Sequence, residues 1–467
     1  MKDFGYDVAD YRAVDPIFGT MDDFKSLMRR AKSLGLGVIV DMVISHTSEE
    51  HGWFKQSRAR ENNKSDWYLW ADPKPDGSPP NNWVSVFGGP AWRWDAERRQ
   101  YYFHSFLSSQ PDLNMHNPDV QNAVLAEMDF WLDMGVSGFR FDACNHIFQD
   151  QSLRSNPPRE NTGDALHPYG FQVHLYDQGR PEMLPFLERI RNLLDAYGAF
   201  SLAEVGGVDP LKLMGQYTQP GRLHSAYSFA LMRPDYSAAY VRKVVDTLEE
   251  HIHPSSSACY AMSNHDKPRV ATRWLQGRDP IDTAKMHFAM LLCMRGDICL
   301  YQGEELGLPH VDVPFERLQD PFGISFWPKF KGRDGCRTPM PWTNAGHGGF
   351  STAEPWLPVD PSHIGLNVES QEDDSRSMLR FARDMIALRK ERAELQAGSI
   401  AFIDAPEGVL AFTRRHEGRT LLCAFNMDRA PQTFTVHNMQ NVLRSHCASV
   451  DAGRVTLAVS GFCLLEI

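Results

Sequence analysis

The chain has 467 residues, 42% hydrophobic and 11% aromatic, enough to bury a large core and build two or three domains. Its 59 acidic residues outnumber 48 basic ones for a formal charge of −11, and no Lys/Arg-rich run could track phosphates, so nucleic acid is not an expected partner. No apolar run reaches membrane-spanning length, Met1-Lys2-Asp3-Phe4-Gly5 lacks the apolar segment of a secretory signal, and the eight cysteines lack paired CxxC spacing. A cytosolic protein without membrane partner, with buried free thiols and no structural zinc, is the expectation.

The first element is a helix opened by Thr20, with Asp23 three positions on and Phe24, Leu27, Met28 and Ala31 at helical spacing until Gly35. The run Gly37 to Val43 is too continuously apolar for a half-exposed strand and is predicted to be buried on both faces. Between His46 and Asn117 the periodicity gives way to Trp, Pro, Gly and Asn, as in Asp72 to Trp83, which reads as an insertion walling one side of a site. Helix-then-strand grammar resumes afterwards: 120–134 into 136–143, 185–197 into 200–205, 238–251 into 258–264, and 283–295 into 297–301. A further strand is expected near 224–231. A helix over 377–394 leads to short alternating strands from about Ala401, including 408–415, the turn Glu417-Gly418, 420–426, 454–459 and 462–467.

Six candidate parallel strands, each ending in polar residues, fit a TIM barrel or a doubly wound sheet. Neither Gly-x-Gly-x-x-Gly nor GxxxxGK[ST] occurs, which favours the barrel. Three of these ends carry carboxylates: Asp142 after Gly138-Phe139-Arg140-Phe141, Glu204 after Ser201-Leu202-Ala203, and Asp266 after Ser263-Asn264-His265. Taken singly, each could be a salt-bridge partner or helix cap. Together at one barrel mouth they are what glycosidic cleavage needs, one carboxylate to attack and one to protonate the leaving oxygen. Alternation puts Arg140 beside Asp142, so Asp142 should stay ionised and act as nucleophile. Glu204, with no adjacent cation in sequence, should be the proton donor. Asp266, His46 and His265 would grip sugar hydroxyls.

Asp41 to His46, Gln110-Pro111-Asp112-Leu113-Asn114, Gly138 to Asp142, Ala203-Glu204-Val205 and Ser263 to Asp266 together resemble, in order, the signature regions of the α-amylase superfamily, glycoside hydrolase family thirteen. The Gln-Pro-Asp-Leu-Asn stretch is similar to the oligo-1,6-glucosidase and α-glucosidase branch. The resemblance implies a retaining exo-acting α-glucosidase, with Asp142 as nucleophile, Glu204 as acid/base and Asp266 as transition-state stabiliser. It further implies that Arg140, His46 and His265 bind the glucosyl unit, and that Tyr6, Asp3 and Arg337 (from Arg337-Thr338-Pro339-Met340) recognise the non-reducing end. No cofactor or metal is implied, and the partner is a small oligosaccharide or disaccharide. Ala143 after the nucleophile leans towards α-1,4 bonds of maltose-like substrates, with sucrose left open.

The implied architecture is a TIM (β/α)8-type barrel over 1–46 and 115–395, an inserted domain over 47–114, and a C-terminal antiparallel β domain over 396–467. The resemblance also places about two barrel strands ahead of the Asp3 to Asp7 stretch, so the barrel is expected to lack them. Ser45 stands where the family has Asn, with local loosening expected, and Lys267 stands where Val is common, with solvation expected. The competing readings are a transglycosylating relative (sucrose isomerase or trehalose synthase) and, from another class, a non-catalytic barrel or inactive fragment.

Overall fold

Thr20 closes a capping box with Asp23 at the start of the helix Met21–Ser33. The chain then turns into β1 (Ile39–Met42). This is a computed structural model; it describes residues 1–162 and 168–467. By compactness the chain divides into two units, Met1–Tyr227 with His251–Ser256, and Ser228–Glu250 with Ser257–Ile467.

In the first unit β1 is followed by β2 (Trp70–Ala71), β3 (Trp92–Asp95) and β4 (Gln100–Phe103), then by β5 (Gly138–Phe141), β6 (Phe200–Val205) and β7 (Ser225–Ser228). Strands β1, β5, β6 and β7 lie side by side in that order, and β1–β5 and β5–β6 pair in parallel. Strands β2, β4 and β3 form a small antiparallel sheet. Trp83, Trp92 and Phe103 pack as its own core within the irregular stretch. The helices Pro118–Asp133 and Met183–Tyr197 precede β5 and β6 as the grammar required, the first capped by Asn117 with Pro118 in its first turn.

The expectation of a first strand buried on both faces is not met: Ile39 is 39% exposed and Asp41 also faces solvent. Among the described residues β1 has one strand partner, β5, and no described strand pairs with its other edge. Leu27 of the preceding helix is likewise exposed, leaving Ala31 as that helix's buried residue.

Gly138 shows how tightly β5 and β6 approach. Its φ is +150°, and a Cβ there would lie 2.0 Å from the Phe200 carbonyl oxygen. Gly138→Ala must therefore push β5 off β6, at a cost of about 1–3 kcal/mol or more for overpacking. Urea unfolding should show the loss of stability, and activity should fall with it, because β5 carries Arg140 and leads to Asp142.

In the second unit β8 (Ser257–Tyr260) pairs in parallel with β9 (Asp297–Ile298). Between them runs the helix Pro280–Cys293, which starts three residues earlier than periodicity suggested because Asp279 caps it and Pro280 fits its first turn. The helix Met378–Glu391 leads to six antiparallel strands: β10 (Ser399–Phe402), β11 (Val409–His416), β12 (Arg419–Asn426), β13 (Gln432–Thr435), β14 (Asn441–Asp451) and β15 (Arg454–Glu466). The β11–β12 hairpin turns at Glu417-Gly418, both with positive φ, as a two-residue turn requires. Buried Arg414 of β11 donates to the carbonyls of Cys293 (2.6 Å) and Met294 (2.9 Å), satisfying the last turn of the Pro280–Cys293 helix.

No helix among the described residues is long and apolar enough to cross a membrane. All eight cysteines are free thiols, six buried as expected and two, Cys299 and Cys447, partly exposed.

Candidate active site

Sheet register builds the first cluster. Asp41 of β1 sits opposite Arg140 of β5, and Arg140 opposite Leu202 of β6, so Asp142 and Glu204, two residues further along, share that face. The Arg140 guanidinium, 8% exposed, spans the whole face. It donates to Asp142 Oδ1 at 2.6 Å, to Asp41 Oδ2 at 3.2 Å and to Glu204 Oε2. The Tyr227 hydroxyl at the end of β7 accepts from Arg140 at 3.0 Å and itself donates to Glu204 Oε2 at 2.5 Å. Tyr6, held in a turn by its amide bond to the Asp3 carbonyl, donates its hydroxyl to Asp41 Oδ2 at 2.7 Å.

This geometry corrects the expected electrostatics. Glu204 does have an adjacent cation, the same one that serves Asp142, because strand pairing brings together residues 64 apart in sequence. Burial pushes the Asp142 carboxyl above the ordinary carboxylate range; Arg140 opposes this, and Glu204 and Asp41 reinforce it. Three carboxylates around one guanidinium carry a net charge of about −2 if all are ionised, which adds to the burial that raises the Asp142 carboxyl. Burial also works against the charge of Arg140, but Glu204, Tyr227 and Asp142 outweigh it, and the guanidinium stays charged.

His46 is 1% exposed, and burial lowers its pKa to about 4, so its ring is neutral at neutral pH. Its Nε2 lies 2.9 Å from the Tyr6 carbonyl and therefore carries the hydrogen, leaving Nδ1 to accept from Ser45 Oγ at 2.9 Å. The loosening expected from Ser45 is thus not seen: the hydroxyl is fully buried and orients the ring. Asp3, also buried, accepts from Gln110 Nε2 at 3.1 Å, and the same amide reaches the Tyr6 carbonyl at 3.3 Å.

The second unit holds the second cluster. Beyond β8, Asn264 Oδ1 accepts from the amides of Asp266 and Lys267, fixing the turn that presents the Asp266 carboxyl. Arg337 donates to Asp266 Oδ1 at 2.8 Å and to the His265 carbonyl at 2.6 Å. Arg333 reaches the same carboxyl oxygen at 3.3 Å while gripping fully buried Asp320 through Nε (3.1 Å) and a terminal nitrogen (2.8 Å). His265 Nε2 lies 3.5 Å from Asp266 Oδ1. Lys267 is not simply solvated as expected: its Nζ sits 5.1 Å over the Phe229 ring.

The structure thus gathers Tyr6, Arg140, Asp142 and Glu204 around one guanidinium, Asp3 and His46 around the Gln110 amide, and His265, Asp266 and Arg337 around one carboxylate. Sequence reasoning did not single out Asp41, Gln110 or Tyr227, nor Arg333 as the partner of both Asp320 and Asp266. Asp41 and Gln110 stood inside quoted motifs, which was the available signal. Tyr227 in an apolar strand reads as core, and Arg333 carries no local pattern at all.

Residues 1–398 match the alpha-amylase catalytic domain. A "Probable alpha-glucosidase" of Rhizobium meliloti (strain 1021) is 49% identical over 440 residues, covering 91% of this chain and 80% of that protein. The crystal structure of the alpha-glucosyl transfer enzyme XgtA superposes with a TM-score of 0.95 at 49% identity, covering 99% of this chain and 88% of that one. The trehalulose synthase MutB from Pseudomonas mesoacidophila MX-45 superposes with a TM-score of 0.90 at 30% identity, covering 99% and 89%.

Proposed function

The chain belongs to the α-amylase family of glycoside hydrolases, with its TIM-barrel fold and C-terminal antiparallel β domain, and on that footing we propose that it is a retaining, exo-acting α-glucosidase. The observation that carries the reading is the Arg140 guanidinium bonded to both Asp142 and Glu204. One guanidinium reaches both carboxyls only when they are close, which favours the spacing of about 5 Å used by retaining enzymes over the wider gap that admits a water.

Asp142 attacks the anomeric carbon and forms a glucosyl ester as the bond to the leaving oxygen breaks. Both bonds to Glu204 fall on Oε2, so the proton passed to the leaving oxygen belongs on Oε1. Glu204 then takes a proton from water as that water attacks the ester, releasing glucose with its α configuration and regenerating Asp142. Asp266, loaded by Arg337 and Arg333, is the third carboxylate, suited to hydroxyls of a sugar gaining positive charge. Tyr6 offers a stacking ring. His46 and Gln110 hold the Tyr6 carbonyl, and Asp3, His265 and Arg337 serve recognition of the terminal glucose. Ala143 supports the α-1,4 preference, residues 47–114 are read as the inserted domain and 396–467 as the C-terminal domain, and the site of action is taken as cytosolic.

Likeness to an α-glucosyl transfer enzyme and to a trehalulose synthase favours a second reading, in which a sugar hydroxyl replaces water in the second step. Product analysis separates the two. With maltose and with sucrose at low concentration, the proposed hydrolase releases free glucose as main product; a new disaccharide or a glucosylated acceptor as main product would establish transfer instead.

A further inference from the structure

Strand β14 departs from regularity twice, first between Val442 and Arg444. Its pairing with β15 slips between His446 and Ala448, and the intervening Cys447 takes a φ of +47°, rare for a residue with a side chain. In a regular strand His446 and Cys447 would face opposite sides of the sheet. At this irregularity the register passes over Cys447 on β14 and the four residues Ala458 to Gly461 on β15, and both side chains reach Asp282, in the first turn of the Pro280–Cys293 helix. His446 Nε2 lies 2.7 Å from Asp282 Oδ1, the Cys447 thiol bonds the same carboxylate, and one donor atom from each residue lies within 4.8 Å of the other two.

We propose that Asp282, His446 and Cys447 form a binding site for a divalent cation of borderline softness, of which zinc is the type. Imidazole nitrogen, thiolate sulfur and carboxylate oxygen are the donors zinc takes, and three protein ligands leave one tetrahedral position for water. The site is accessible, with the His446 and Asp282 side chains 23% and 35% exposed. The His446 ring is held between Phe381 and Phe462, at centroid distances of 6.3 and 6.0 Å. Asp279 adds a second negative charge near the thiol, and Lys285 opposes it.

On binding, the cation displaces the Cys447 thiol proton to solvent and replaces the hydrogen bonds of His446 and Cys447 to Asp282 with three bonds to metal. Thiolate, carboxylate and neutral imidazole then balance a charge of +2. Ligand spacing in the sequence could not reveal the site, because 164 positions separate Asp282 from His446. A bound cation would tie the helix to β14, alongside the existing Thr283–Ser460 hydroxyl bond of 2.9 Å from helix to β15.

The test is a Co(II) titration of the metal-stripped full chain, with Zn(II) as competitor. A thiolate-to-cobalt charge-transfer band should grow to one equivalent, vanish in Cys447→Ser, and need at least about tenfold more metal in Asp282→Asn. Zn(II) should raise the melting temperature of the wild type by several degrees and leave that of Cys447→Ser unchanged. Should either variant fail to fold, the wild type alone decides: Zn(II) should slow alkylation of Cys447, read by peptide mass, at least about tenfold. No band in the wild type, a band that survives Cys447→Ser, or an alkylation rate unaffected by Zn(II) overturns the proposal.

Discussion

Asp142→Asn lowers kcat/KM for maltose and for p-nitrophenyl α-glucoside by about ten-thousandfold or more, equivalent to ~5.5 kcal/mol of transition-state stabilisation. An amide is too weak a nucleophile to form the glucosyl ester, and an activated leaving group does not help, because the missing bond is the one to the anomeric carbon. The fold survives: Arg140 keeps its bonds to Glu204, Asp41 and Tyr227, and the new side chain has the same shape as the old. Unchanged far-UV circular dichroism beside lost turnover separates this result from unfolding. Turnover left intact would remove Asp142 from the chemistry.

Arg140→Met is the variant that costs both activity and stability. It leaves Asp142, Glu204 and Asp41 facing one another without their common cation, and removing one partner of a buried ionic group costs about 3–5 kcal/mol. The sign of the pH dependence follows from Asp142, whose pKa is already raised by burial, with Arg140 as the one charge pulling it down. In the variant that opposition is gone and the carboxyl protonates at still higher pH. A buried acid with raised pKa favours the folded state below its unfolded pKa and loses that contribution as pH rises through the folded value. The stability deficit is therefore smallest in acid and grows towards neutral and alkaline pH, while residual activity shifts to higher pH. Urea midpoints at several pH values measure the first effect and a kcat/KM profile the second. A deficit that shrank as pH rose would overturn the electrostatic role given to Arg140.

Much of this site was legible because strands write their geometry into sequence with a period of two. Arg140 and Asp142 were placed on one face by alternation, and the structure joins them at 2.6 Å. The capping box of Thr20 and Asp23 and the turn at Glu417-Gly418 are equally local, and both were readable. Whatever depends on which strand lies next to which was not. That Arg140 also serves Glu204 follows from the β5–β6 register, and that Tyr227 joins them follows from the position of β7. Arg333 is held by Asp320, 13 residues away through a loop without periodicity. Burial of β1 was misjudged for a similar reason, since an apolar run records what a strand could bury and says nothing of its neighbours. The long strand β14 went unrecognised because Asn441 to Asp451 is polar, partly exposed and bulged, which erases clean alternation.

The two-step mechanism requires a covalent glucosyl-enzyme whose ester oxygen belongs to Asp142. Incubation with 5-fluoro-α-glucosyl fluoride, which slows the second step more than the first, followed by proteolysis and peptide mass spectrometry, looks for it directly. A single fluoroglucosyl adduct is expected on the peptide carrying Asp142, formed in step with loss of activity and absent from Asp142→Asn. An adduct on another carboxylate, or steady turnover of the reagent with inversion at the anomeric carbon and no adduct, would rule out double displacement through Asp142.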